Sequence, residues 1–203
     1  MGVLAIDCGK TGALCFHDGS YFHTWNMPYT PDNEVDLLEL SRITYQLPIE
    51  TIIIEEQTSF ASDGRFGAFT MGLNYGRLLA WAEKRCSHLC RVRPQHWQAY
   101  HGIQVKHDKQ ATSAEKKRAT KLAAYNHLKT LHPQIAERCL GKRGGLLDGL
   151  VDAILIAIWG YNERGNSYLP TSTGFGCFPN VKLTGTPKGS KGGQRGSRSG
   201  GKR

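Results

Sequence analysis

The sequence predicts an α/β protein built on a mixed central sheet, three antiparallel strands followed by parallel ones, flanked by helices. Three observations predict it. Val3-Leu4-Ala5-Ile6 and Thr51-Ile52-Ile53-Ile54 are short apolar runs, each ending in acid, and read as buried strands. A turn at His17-Asp18-Gly19-Ser20 folds two more short apolar stretches into a hairpin. Elsewhere the apolar residues recur at helical spacing, and between Leu146 and Trp159 they cover a helix on most sides.

In chain order, the first strand ends in Asp7 and a glycine turn follows. Ala13 to Phe16 and Tyr21 to Trp25 complete an antiparallel unit of three strands. After a loop from Met27 to Asp32, Asp32 or Asn33 caps a helix carrying Val35, Leu38, Ile43 and Leu47, which Pro48 ends. The β-branched run at residues 51–54 leads into Glu55-Glu56. A loop from Thr58 to Gly67 precedes a helix from about Ala68 to Arg85, with Met71, Leu78, Leu79 and Trp81 inward. Gly72 and Gly76 on that helix suit close backbone packing, and Phe69 reads as core. Residues 89–93 form a strand that Pro94 stops, and Gln95 to Lys109 is polar, with Trp97 and Tyr100 among histidines. Residues 111–131 form a cationic helix with Leu122, Tyr125, Leu128 and Leu131 on its apolar side. Residues 1–165 thus read as one domain, 166–185 as an irregular extension, and 186–203 as a basic Gly/Ser-rich disordered tail.

The formal charge of +9 is concentrated at that end. Seven cations and no acid lie between Lys182 and Arg203, leaving about +2 on residues 1–181. A polyanionic partner is expected, with any specificity coming from the body. The start has neither a basic n-region nor an apolar run of signal-peptide length, and the apolar helix is too short for a bilayer. An intracellular, cytoplasmic protein with reduced thiols and no membrane partner is therefore expected. Cys86, His88 and Cys90 have no second ligand pair at zinc spacing, which disfavours a structural zinc.

Acids carry the functional signal. Asp148 and Asp152 interrupt the apolar helix four residues apart, on one face. Asp7 and Glu55 or Glu56 close apolar strands, and ligand sites in open α/β sheets form at the carboxyl ends of strands. Each acid alone has a local explanation: a turn, a cap, a pairing with a buried arginine. Together they would repel one another unless protonated or bound to cations, and hard oxygen donors suit Mg²⁺, with Mn²⁺ able to substitute. Two such ions can activate water and stabilise a leaving 3′-oxygen of a phosphodiester.

Ile6-Asp7-Cys8-Gly9-Lys10-Thr11-Gly12-Ala13 and Ile53-Ile54-Glu55-Glu56-Gln57 begin a wider pattern. It continues with Gly64, Phe69, Gly72-Leu73-Asn74-Tyr75-Gly76, Val92-Arg93-Pro94, Trp97 and Asp148-Gly149-Leu150-Val151-Asp152-Ala153. Over residues 1–161 the chain resembles the RuvC-type Holliday-junction resolvases, especially the compact bacteriophage forms, which have an RNase H-like fold. The resemblance implies a Mg²⁺-dependent endonuclease, a homodimer that nicks opposed strands of four-way DNA, in host cytoplasm if phage-encoded. It assigns Asp7, one of Glu55 and Glu56, Asp148 and Asp152 as catalytic ligands of two metal ions. Glu55 fits the family spacing better, although Glu56-Gln57 resembles the Glu-Gln of the bacterial enzymes. The last two acids are four apart here and three apart in those enzymes. Phe60 stands where the family places an aromatic that stacks on a crossover base, and Lys106, Lys109, Lys116, Lys117 and Arg118 form the expected phosphate-contacting surface. Lys116 or Lys117 is expected to stabilise phosphate charge, while His101 and His107 are expected at the surface or on phosphate, general-base duty for either being the alternative. The helix from Ala68 is a candidate dimer face.

Three other readings compete. A less selective nuclease of the same fold would cut forks, flaps or RNA–DNA hybrids, and a non-catalytic relative would only bind DNA. Asp7-Cys8-Gly9-Lys10-Thr11-Gly12 also resembles the first phosphate loop of actin-like sugar kinases, but those need two large lobes, more than this chain can build.

Overall fold

The structure, a computed structural model, describes residues 2–9, 11–57, 64–103, 105 and 110–163. Five strands form one sheet: β1 (Gly2–Asp7), β2 (Ala13–His17), β3 (Phe22–Asn26), β4 (Ile49–Glu55) and β5 (His88–Val92), in the order β3-β2-β1-β4-β5. β1 pairs antiparallel with β2, and β2 with β3; β1–β4 and β4–β5 are parallel. The mixed sheet read from the sequence is the sheet observed.

Alternation along the strands divides the core. Val3, Ala5 and Ile53 face the layer of α6 (Asp148–Glu163), α4 (Ser113–Leu131), α3 (Pro94–Tyr100) and α5 (Pro133–Arg138). Leu4, Ile6, Ile52 and Ile54 face the opposite layer, α1 (Leu37–Thr44) and α2 (Gly64–Arg85). α6 packs on β1 and β2, and its middle residues from Ala153 to Ala157 are almost fully buried. A side chain at Gly160 would put its Cβ 1.9 Å from Ile53 Cδ1, so the helix lies directly on the sheet. No described helix is long and apolar enough to cross a membrane.

Several local readings are corrected. Asp36, not Asp32 or Asn33, caps α1, its Oδ1 accepting from the amides of Leu38 and Glu39. Val35 therefore precedes the helix, and Leu38 is 83% exposed. α2 begins at Gly64, inside the stretch read as loop. Phe69, expected in the core, is 71% exposed, and nothing lies within 4 Å of a Cβ at Gly72 or Gly76. Close packing at those glycines does not occur among the described residues. α3 opens with Pro94 in its first turn, so this proline starts a helix as well as stopping a strand. α4 is capped by Thr112 in a reciprocal capping box with Glu115. Leu122 and Leu131 are exposed, and α4 buries Ala124 and Leu128 instead.

Candidate active site

Asp7 is the last residue of β1 and Glu55 the last of β4, and these parallel strands pair up to Ile6 and Ile54. The two acids therefore close adjacent strand ends. Alternation also fixes which way they point. Ile53 faces α6, so Glu55, two residues on, faces it too, and Glu56 faces away. Glu56 instead meets Arg93, whose Nε donates to its Oε2 at 2.8 Å. Glu55 is buried, and Trp97 Nε1 donates to its Oε1 at 2.8 Å from within α3.

Asp7 is also buried, and its Oδ1 accepts from the Gly9 amide at 2.9 Å. Tyr29 donates to the Gly9 carbonyl at 3.0 Å, fixing the turn that holds that amide. Across from the strands, Asp148 and Asp152 sit on the first turns of α6. Gly149 between them is required by a close approach: a Cβ there would lie 2.0 Å from the Thr11 carbonyl oxygen and 3.1 Å from Asp7 Oδ2. The missing side chain lets α6 come down beside Asp7.

Electrostatics records the convergence. Burial pushes the Asp7 carboxyl up, and the charge of Asp148 adds to the rise. Burial pushes Asp152 well up, reinforced by Glu55, Asp7 and Asp148 in that order. Burial pushes Glu55 to about 7, Asp7 adds to it, and the Trp97 N–H acts against it. Each of these three is thus desolvated and repelled by its neighbours. The Cys8 thiol, raised by burial and then by Asp7 and Glu55, stays protonated and is no nucleophile. Among the described residues, Lys121 of α4 contacts Asp148, and its charge acts against the rise at Asp7 and Asp152.

The four acids singled out in the sequence are therefore brought together, with Glu55 rather than Glu56 turned toward the others. Among the described residues, no group of three or more His, Cys, Asp or Glu side chains is arranged to hold a metal ion. Asp148 is turned to Lys121 and Glu55 to Trp97. The donor chemistry nonetheless fits a hard divalent cation, because all four are carboxylates and three resist ionisation without added positive charge. Lys116, Lys117 and Arg118 occupy the first turns of α4, Lys117 and Arg118 exposed and Lys116 half-buried. Phe60, Lys106, Lys109 and His107 lie outside the described residues, as does the basic tail.

His101 departs from expectation. It is buried, with Nε2 2.8 Å from the Leu155 carbonyl and Nδ1 3.2 Å from His127 Nε2, so it ties α3 to α6 and α4. Two site residues had been passed over. Trp97 belonged to the sequence pattern without a role; its position, three residues after Pro94, was the available signal. Lys121 lies on the cationic helix, where its sequence position carries no signal that sets it apart. Trp97→Phe is expected to move the titration of Glu55 upward, followed by carboxyl ¹³C shifts in chelator; an unchanged or lower value would show that the indole does not hold Glu55.

No protein-family model matches the chain, and no curated protein sequence matches it. Among solved structures, it is similar to T. thermophilus RuvC in complex with a Holliday junction substrate, at 15% identity and a TM-score of 0.50, covering 82% of this chain and 97% of that one. A Thermus thermophilus RuvC structure matches at 13% identity and a TM-score of 0.44, over 79% of this chain and 98% of that one. The yeast mitochondrial Holliday junction resolvase Ydc2 matches at 17% identity and a TM-score of 0.42, over 76% of this chain and 75% of that one. The first of these establishes the fold, an RNase H-like α/β fold with helices on both faces of the mixed sheet.

Proposed function

We propose that this chain is a Mg²⁺-dependent endonuclease that resolves four-way DNA junctions by paired, symmetrical nicks. The observation that carries the reading is the cluster of Asp7, Glu55, Asp148 and Asp152, three of them raised by burial and mutual repulsion on one side of two parallel strand ends. Strongly perturbed acids gathered in this way mark functional sites more often than structural ones. The substrate class rests on the fold shared with a RuvC structure that contains a Holliday junction.

When bound, two divalent ions would supply phosphate charge neutralisation and an activated water for in-line attack, leaving 5′-phosphate and 3′-hydroxyl ends. The chain's own part is positioning. Asp7, Glu55, Asp148 and Asp152 would hold the ions. The Gly9 amide fixes one oxygen of Asp7 and the Trp97 indole one oxygen of Glu55, so the two ligands from the sheet are pre-oriented. Lys116, Lys117 and Arg118 would meet backbone phosphates beside them, joined by Lys106, Lys109 and the tail, and Phe60 would stack on a crossover base.

Two nicks in opposed strands call for two copies of the site. The second copy fits the outer face of α2, where Phe66, Phe69, Leu73 and Gly76 share a stripe at helical spacing and are all exposed. A dimer is expected by sedimentation at micromolar concentration, converted to monomer by Phe69→Lys; a wild-type monomer contradicts this part of the proposal.

Substrate selectivity is tested by cleaving a four-way junction, a replication fork and an RNA–DNA hybrid side by side in Mg²⁺. The junction is expected to be cut fastest, with nicks in both opposed strands. Equal rates on all three would favour the less selective nuclease, and tight junction binding without cleavage would favour a non-catalytic DNA-binding protein.

A further inference from the structure

We infer that Lys121 is a tethered counter-ion of the acid cluster, exchangeable for a divalent cation, and so sets how readily the site takes up metal. The inference rests on the proposed metal-dependent function and deepens it. Lys121 Nζ contacts Asp148 Oδ2, joining α4 to the first turn of α6. Asp148 already has the positive end of the α6 dipole beside it, so it does not depend on the lysine for compensation. Asp148 lies one turn before Asp152 on the same face of α6, and Gly149 beside it approaches Asp7 Oδ2, so the ammonium is held against the whole cluster.

Its attachment suits exchange. The two partners keep 47% and 22% of their side-chain exposure, and ion pairs this open are weakly held. Lys121 hangs from a flexible four-carbon stem on a helix whose preceding turn carries Lys117 on the same face. An incoming divalent ion would be repelled by the ammonium and would compete with it for Asp148. Leaving Asp148, the ammonium would take a DNA phosphate as its new counter-ion. Metal uptake and delivery of a cation to the DNA backbone are then one rearrangement.

The test uses the full chain stripped with chelator and titrated with Mn²⁺ without DNA, free Mn²⁺ being read by electron paramagnetic resonance. Lys121→Met is expected to bind Mn²⁺ roughly tenfold more tightly than wild type, and Lys121→Arg about as wild type does. In chelator, Lys121→Met should melt lower than wild type and regain more on Mn²⁺ addition. A folded Lys121→Met that binds Mn²⁺ equally or more weakly, while wild type binds, overturns this inference alone. Failure of all three proteins to bind Mn²⁺ overturns the metal-dependent reading and this inference with it. A second measurement needs no variant: Mg²⁺ should speed reductive methylation of Lys121 in wild type several-fold relative to Lys129, and an unchanged ratio overturns the exchange.

Discussion

Asp152→Asn is expected to abolish metal-dependent junction cleavage and to raise the melting temperature of the same protein in chelator. The first effect follows from removing a charged ligand, which costs several kcal/mol of transition-state stabilisation, about three powers of ten in rate. The second follows from the direction of its titration. Burial, then Glu55, Asp7 and Asp148, push the Asp152 carboxyl well up. A raised acid contributes stability at low pH and loses it as pH rises through its folded value. At pH 8 asparagine keeps the shape without the penalty that burial and the neighbouring acids impose on the carboxyl, so the melting temperature in chelator rises. Most substitutions at buried positions destabilise, so lost activity with gained stability separates a functional acid from a structural one. A variant that still cleaves, or one that melts lower in chelator, contradicts the assignment.

Glu55→Gln is expected to lose cleavage to a similar extent, about a thousandfold, whereas Glu56→Gln stays within about twofold of wild type. Glu56 faces away from the cluster and lies against the partly exposed Arg93. The same pair of proteins tests the electrostatics. Glu55 is pushed to about 7 by burial first and Asp7 second, with the Trp97 N–H opposing. Its contribution to stability is fully present below the ordinary carboxylate range and is lost as pH rises through about 7. Wild type loses this contribution between pH 6 and pH 8, and Glu55→Gln does not. The melting temperature of the variant minus that of wild type, in chelator, should therefore grow by a few degrees across that interval, equivalent to about 1 kcal/mol. His101 tilts stability the other way, because burial lowers its pKa, but both proteins carry it and it cancels in the difference. A flat difference, with both variants active, would place Glu55 outside the chemistry.

The sheet was legible because it is written in short-range patterns. Buried strands announce themselves as apolar runs, but which of Glu55 and Glu56 turns toward α6 follows only from where that helix packs, on the side of Ile53. The α6 helix was legible because an apolar sequence interrupted only by two acids, four apart, has few other uses. What stayed hidden depends on packing between distant elements. Trp97 reaches Glu55 only because α3 packs against α6, and Lys121 reaches Asp148 only because α4 lies along α6. Phe69 departs from expectation for a related reason: hydrophobicity marks surface that another body covers, and among the described residues nothing covers that face of α2. Three residues with good capping side chains, Asp32, Asn33 and Asp36, compete for the cap of α1 within five positions. Asn33 instead takes a turn conformation at a φ of 60°, leaving Asp36 to meet the helix amides.

The most direct test is cleavage of an end-labelled four-way junction by the purified wild-type chain in Mg²⁺ and in chelator. Matched nicks in two opposed strands, present with Mg²⁺ and absent with chelator, are the predicted result. Cleavage that continues undiminished in chelator, or an intact junction at every Mg²⁺ concentration, would contradict the claim that these four carboxylates form a divalent-ion nuclease site.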